Sequence, residues 1–129
     1  MSWQAAFWVA LGGAIGSVLR WATVVLTVQR FGPGFPLGTL TVNVVGSFLI
    51  GIVAGLADSA TPGLSPTMRL FLATGILGGF TTFSSFSLDT LNVERASGSM
   101  LALLYVAISV CVGLAAALGG VALARALRS

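Results

Sequence analysis

The stretch GGFTTFSSFS, residues 78–87, combines glycines, hydroxyl-bearing residues and phenylalanines in a segment without charge from Leu70 to Leu88. A glycine inside a helix costs about 1 kcal/mol relative to alanine. Serine and threonine hydroxyls also bond to nearby backbone groups in competition with the helix. The stretch therefore predicts a helix that is interrupted near Gly78–Thr82. An interruption frees carbonyls that bind cations, and it exposes amides at the start of the next half-helix, which favour anions.

A second polar group lies in GTLTVNVVGS, residues 38–47, where Thr39, Asn43 and Ser47 recur every four residues and share one helix face. A buried amide is costly unless it is hydrogen-bonded. Asn43 supplies two N–H donors, which suit an anion that has lost its water. Joining two helices by hydrogen bonds is the competing role for this residue, and the sequence leaves both roles open.

A third group consists of aromatic and hydroxyl side chains that follow the predicted interruption. They fall on one stripe of a helix and continue on the last apolar segment, one turn apart: Phe83, Phe86, Ser87 and Thr90, then Tyr105 and Ser109. Ordinary packing is the commoner role for two phenylalanines. Because ring edges are electropositive, a stripe of ring edges and hydroxyls also suits the passage of a small anion.

The remaining composition excludes several kinds of chemistry. The chain has no histidine, its six basic residues are scattered arginines, and Cys111 is its one cysteine. Its three carboxylates, Asp58, Asp89 and Glu94, fall at or beyond the ends of apolar segments, so none is placed as an intramembrane proton relay. We therefore expect no enzyme, no intrachain disulfide, no metal site built from side chains and no nucleic-acid partner.

Four apolar segments must position these groups. The chain of 129 residues is 57% hydrophobic and 7% charged, with a mean hydropathy of +1.05. A spanning helix needs about 20 mostly apolar residues, and the segments at about 3–28, 37–57, 66–93 and 99–127 satisfy this. The sequence predicts a single all-α transmembrane domain with the interruption in its third helix. Without a basic region before it, the first segment is expected to be a span and not a removed signal peptide.

Orientation signals are nearly balanced. Arg69, Arg125 and Arg128 fall on one side of four spans, and Arg30 and Arg95 fall on the other, with Arg20 near the end of the first helix. Two explanations stay open: insertion in one orientation by other signals, or insertion in both orientations, which produces an antiparallel dimer. Small residues at four-residue spacing, such as Gly12 and Gly16, favour close helix packing.

Three motifs in this order resemble the Fluc (CrcB) family of fluoride channels over the whole chain: GGAIGSVLRW at 12–21, GTLTVNVVGSFLIG at 38–51 and GILGGFTTFSSFSLDT at 75–90. The resemblance implies passive fluoride efflux across a bacterial plasma (inner) membrane by an antiparallel, dual-topology homodimer with two pores. It also implies a structural sodium ion at the dimer interface, bound by the main-chain carbonyls of Gly78 and Thr81 from both subunits.

The resemblance further implies roles for side chains. Arg20 would lie near a pore entrance. The anion path would be lined by Asn43, by the rings Phe83 and Phe86, and by polar neighbours: Ser84, Ser87, Thr39 and Tyr105. The family commonly has glutamate where this chain has Asp89, and often threonine where it has Ser85. These differences put the shape of the pore mouth in question but not the class of ion.

Two other functions compete. A small multidrug exporter also has four spans, but it needs a glutamate in its first helix, and residues 1–19 contain no acid. A membrane assembly subunit that transports nothing would explain the small residues, yet it leaves the interruption and the polar stripes without a role.

Overall fold

The computed structural model describes residues 2–57 and 64–128, and the regular elements within them are helices. In chain order they are α1 (Trp3–Phe31), α2 (Leu37–Ala57), α3 (Pro66–Arg69), a π-helix (Leu70–Leu77), α4 (Gly78–Phe80), α5 (Phe83–Ser97) and α6 (Ser99–Ala126). The π-helix was not predicted. Asp58 lies outside the described residues.

Four helical segments of the described chain are long and apolar enough to cross a membrane: Trp3–Phe31, Leu37–Ala57, Pro66–Ser97 and Ser99–Ala126. The chain is therefore an integral membrane protein. The first segment continues to Phe31, three residues beyond its predicted end. Gly32 follows it with φ 82°, a conformation that glycine adopts readily, and its N–H donates to the Val28 carbonyl at 2.8 Å.

Glycines bring the spans close together in two places. A Cβ on Gly12 of α1 would lie 2.7 Å from the Phe71 carbonyl oxygen and 2.9 Å from the Gly75 Cα, so only glycine allows the π-helix this close to α1. At the second place, a Cβ on Gly120 of α6 would lie 2.9 Å from the Ile52 nitrogen of α2. Small residues permit such backbone contacts in lipid, where van der Waals packing drives helix association.

The two halves of the third span pack against different helices. The π-helix and α4 contact α1, whereas α5 contacts α6, and α2 packs along α6. Val42 and Tyr105 are the two large side chains that are fully buried among the described residues. Large apolar side chains are exposed on all four spans, as expected for surfaces that face lipid or another copy of the chain.

Candidate functional site

Two residues of extended backbone separate α4 from α5. Thr81 has φ −83° and ψ 159°, and Thr82 has φ −154° and ψ 122°. The Thr82 hydroxyl caps α5, because it accepts a hydrogen bond from the Ser85 N–H at 3.1 Å. Gly78, where the predicted interruption began, is itself helical, with φ −63° and ψ −35°. Within the predicted range, the extended residues are thus the two threonines that follow the glycines.

Asn43 of α2 pairs with the backbone of Thr82 through both ends of its amide. Its Oδ1 accepts from the Thr82 N–H at 2.8 Å, and its Nδ2 donates to the Thr82 carbonyl at 3.0 Å. The side chain thereby satisfies backbone groups that have no helical partner. Because the amide nitrogen carries two N–H groups, one donor remains for another acceptor. The two roles that the sequence left open for Asn43 are therefore compatible.

These hydrogen bonds release two backbone carbonyls. In a continuous helix the Gly78 carbonyl would accept from the Thr82 N–H, and the Thr81 carbonyl would accept from the Ser85 N–H. Here the first N–H donates to Asn43 and the second to the Thr82 hydroxyl. The carbonyls of Gly78 and Thr81 are the pair that the family resemblance implies as cation ligands. Their release from the helix is consistent with that role, because cations are bound by oxygens that the helix does not use.

Arg20 lies beside the same backbone. Its side chain is half-buried in α1, and its Nη1 lies 3.5 Å from the Thr81 carbonyl oxygen, which is longer than a typical hydrogen bond of about 2.7–3.2 Å. A charged residue within a span needs polar partners, and this oxygen supplies one. The arginine therefore brings positive charge to the interruption.

Four aromatic rings form a row that runs from the interruption toward the loop between α1 and α2. The ring centroids of Phe83 and Phe86 are 5.6 Å apart, those of Phe86 and Tyr105 are 5.4 Å apart, and those of Tyr105 and Phe35 are 5.5 Å apart. Phe83 is 80% exposed at one end of the row, whereas Tyr105 is fully buried. Phe35 was missed by the sequence analysis because it lies in a Gly/Pro-rich turn outside any helical stripe.

The row ends beside a cavity of ≈ 280 Å³ at the mouth of the bundle, whose lining includes Phe35, Thr39 and Asp89. The Thr39 hydroxyl donates to Asp89 Oδ2 at 2.6 Å. Thr39 is buried, and this bond holds the carboxylate against α2. The shorter acid of this chain thus contacts one of the residues that the resemblance assigns to the anion path.

The hydroxyls along the row differ in the partners they have. The Ser87 hydroxyl donates to the Phe83 carbonyl at 2.9 Å, so its proton is used within its own helix. Ser84 Oγ lies 3.2 Å from Thr82 Oγ1. Within residues 2–57 and 64–128, the buried hydroxyls of Tyr105 and Ser109 have no hydrogen-bond partner. Buried polar groups are normally satisfied, and the two hydroxyls lie close enough on α6 to interact with each other, so at least one of the two protons is available to a polar ligand.

A groove of ≈ 330 Å³ beside the interruption opens to the surface of the chain. Its lining includes Asn43, Ser47, Gly78, Thr81 and Phe83. A Cβ built on Gly78 would meet one atom within 4 Å, the Ala73 carbonyl oxygen at 3.7 Å. The groove therefore exposes polar backbone and side-chain groups that lipid alone would leave unsatisfied.

A helical protein with four spans and polar groups gathered between them is an integral membrane protein of the channel or transporter class. Residues 7–121 match the family described as "CrcB-like protein, Camphor Resistance (CrcB)". The chain belongs to this family.

Curated relatives match over nearly their whole length. The chain is 50% identical over 119 residues to proteins named "Fluoride-specific ion channel FluC" from Rhizobium meliloti (strain 1021) and Agrobacterium fabrum (strain C58), covering 92% of this chain and 94% of each relative. It is 46% identical over 121 residues to the protein of that name from Sorangium cellulosum, covering 94% of both chains.

Proposed function

We propose that this chain is a fluoride-specific ion channel that mediates passive fluoride efflux from the bacterial cytoplasm. The identity of the ion rests on one observation, the 50% identity to channels of that name over 92% of the chain. The protein is not an enzyme. Its transported ion is fluoride, and its location is the plasma (inner) membrane.

Conduction requires that the site replace the water of a strongly hydrated anion. Hydrogen-bond donors are supplied by the second N–H of Asn43 and by the hydroxyls of Tyr105 and Ser109. The electropositive edges of Phe83 and Phe86 supplement these donors along the row of rings. Arg20 adds positive charge beside the interruption. Selectivity in channels arises from such close-range donors and electrostatic barriers.

Efflux from liposomes tests this function directly. Purified protein in liposomes loaded with potassium fluoride and valinomycin should release fluoride, measured with an ion-selective electrode, whereas matched chloride-loaded liposomes should release little chloride. Release of both anions would contradict the specificity. A failure to release either, combined with proton-driven export of a cationic dye, would favour the small multidrug exporter. The absence of both anion release and dye export would favour a membrane subunit that transports nothing.

The channel acts as a homodimer. Four helices enclose little space, and both the exposed ring of Phe83 and the open face of Gly78 lie at the surface of the protomer. A second copy would supply the missing wall of the path and cover the groove. The near-balance of arginines on the two sides of the spans supports an antiparallel arrangement with two pores.

We predict that this dual topology is visible as two-sided access to the C-terminus. A protease-cleavable C-terminal tag on the unmodified protein should be accessible from both sides of the membrane. Lysines added to the loop between α1 and α2 should fix one orientation and impair assembly, and a second copy biased in the opposite sense should restore fluoride flux. Access from one side only, in a functional unmodified protein, would exclude the arrangement.

A sodium ion at the dimer axis is the proposed cofactor, and the freed carbonyls of Gly78 and Thr81 are its ligands. Two carbonyls from each of two subunits make a neutral set of four oxygens. Such a set suits a monovalent cation, because divalent ions are usually bound with carboxylates. In the described part of the chain, no three Cys, Asp or Glu side chains lie close enough together to bind a metal ion. The sodium would hold the two interruptions together and add positive potential to the path.

A further inference from the structure

A basic cavity lies at the opposite end of α2 and α6 from the mouth described above. Its volume is ≈ 320 Å³, and it is lined by the small residues Ala54, Gly55 and Ala57 together with Val121 and two arginines, Arg69 and Arg125. These arginines come from the start of the third span and the last turn of α6. The fluoride path does not include any of these residues.

The arginines outnumber the acids at this end of the bundle. Arg128 also lies here, because its Nη1 donates to the Leu56 carbonyl at 3.0 Å. The carboxylates among the described residues, Asp89 and Glu94, are both on α5, in the other half of the third span. Including Asp58, which is outside the described residues, the sequence places three arginine side chains and one acidic side chain at this end.

Aromatic residues place the cavity at the level of lipid headgroups. Trp8 packs edge-on against Phe71, and it lines a cleft with Pro66 at the start of the third span. Trp3, five residues earlier on α1, is 93% exposed. Tryptophan is enriched where the hydrocarbon core meets the headgroups. Arg69, three residues after Pro66, and Arg125, in the last turn of α6, therefore lie close to the phosphates of one leaflet.

From these observations we propose that Arg69 and Arg125 form a binding site for the phosphodiester group of an anionic phospholipid. Guanidinium groups bind phosphate oxygens in a bidentate manner, and basic pockets between transmembrane helices bind anionic headgroups. The small residues of α2 leave room between the two arginines for the headgroup. The inference is independent of the transported ion.

Native mass spectrometry of the full chain with added phosphatidylglycerol or phosphatidylcholine tests the proposal. The unmodified protein should retain phosphatidylglycerol in preference to phosphatidylcholine. Arg69→Gln combined with Arg125→Gln should weaken phosphatidylglycerol binding by about 30-fold, since each arginine near the surface contributes about 1 kcal/mol and 1.4 kcal/mol is tenfold. Binding of phosphatidylcholine should be unchanged.

A matched control removes two arginines from the other end of the spans, as Arg30→Gln with Arg95→Gln, and should retain most of the phosphatidylglycerol binding. Equal losses in both double variants would show a non-specific effect of net charge and would overturn the site. Displacement of the lipid by millimolar inorganic phosphate would also overturn the lipid site, in favour of a site for a soluble anion.

If the double variant fails to fold, the unmodified protein still tests the site. A preference for phosphatidylglycerol that does not weaken at high salt would contradict an arginine–phosphate contact. Fluoride efflux, measured separately, should persist in the double variant.

Discussion

Asn43→Asp is expected to lower fluoride flux by about 100-fold or more. The carboxylate has no N–H, so it loses the donor to the Thr82 carbonyl and the second donor proposed for the anion. It also places a negative charge beside the path. Two unit charges at 4 Å repel by about 4 kcal/mol at an effective dielectric of 20, and each 1.4 kcal/mol is about tenfold in rate. Fluoride efflux from liposomes at matched protein density measures the loss.

Two further variants separate charge from structure. Asn43→Leu has a similar volume and removes both bonds to Thr82 and the donor proposed for the anion without adding charge, so the difference in flux between the two Asn43 variants reports the effect of the negative charge. Gln29→Glu makes the same change from amide to carboxylate at an exposed position of α1, and should cost far less flux. Chromatography should show Asn43→Asp as a dimer. Near-normal flux in that variant would remove Asn43 from the anion path.

The spans could be predicted from the sequence because each is a nearly uncharged segment of the required length, and short Gly/Pro-rich turns separate them. The sequence predicts an interruption near Gly78–Thr82, because glycine and hydroxyl-bearing residues both weaken a helix, and the two extended residues, Thr81 and Thr82, lie within that range. The residue that hydrogen-bonds to the interrupted backbone could not be identified from the sequence. Asn43 and Thr82 are 39 residues apart, and an isolated buried amide predicts that a partner exists without indicating which one.

Other features have no signal in a single sequence. The π-helix Leu70–Leu77 lies in an almost uniformly apolar segment, LFLATGIL, where the positions of apolar residues do not distinguish one helical period from another. Phe35 joins the row of rings through its contact with Tyr105, which depends on how the α1–α2 loop folds back over α6. The released carbonyls follow from two specific hydrogen bonds and not from residue type.

Gly78→Val is expected to abolish fluoride flux through loss of the dimer while the protomer still folds. Within the protomer the added side chain meets open space, with one atom within 4 Å of its Cβ. At the proposed two-fold axis it would crowd the partner backbone. Overpacking costs about 1–3 kcal/mol per site, and in a two-fold dimer each of the two subunits carries the substitution. The association should therefore weaken by about 30-fold or more, measured as monomer fraction against protein density in liposomes.

Three controls locate the cause. Gly119→Val adds the same side chain to a helical glycine of α6 that also has open space around it, and it should keep dimer and flux. Gly79→Ala should instead destabilise the protomer, because its Cβ would lie 2.6 Å from the Gly13 carbonyl oxygen. Thr81→Ser should be tolerated, since it keeps both the main-chain oxygen and the hydroxyl that donates to Leu77. If Gly78→Val remains a conducting dimer, the Gly78 backbone does not meet its copy at the axis, and the four-carbonyl sodium site is excluded while the anion path stays possible.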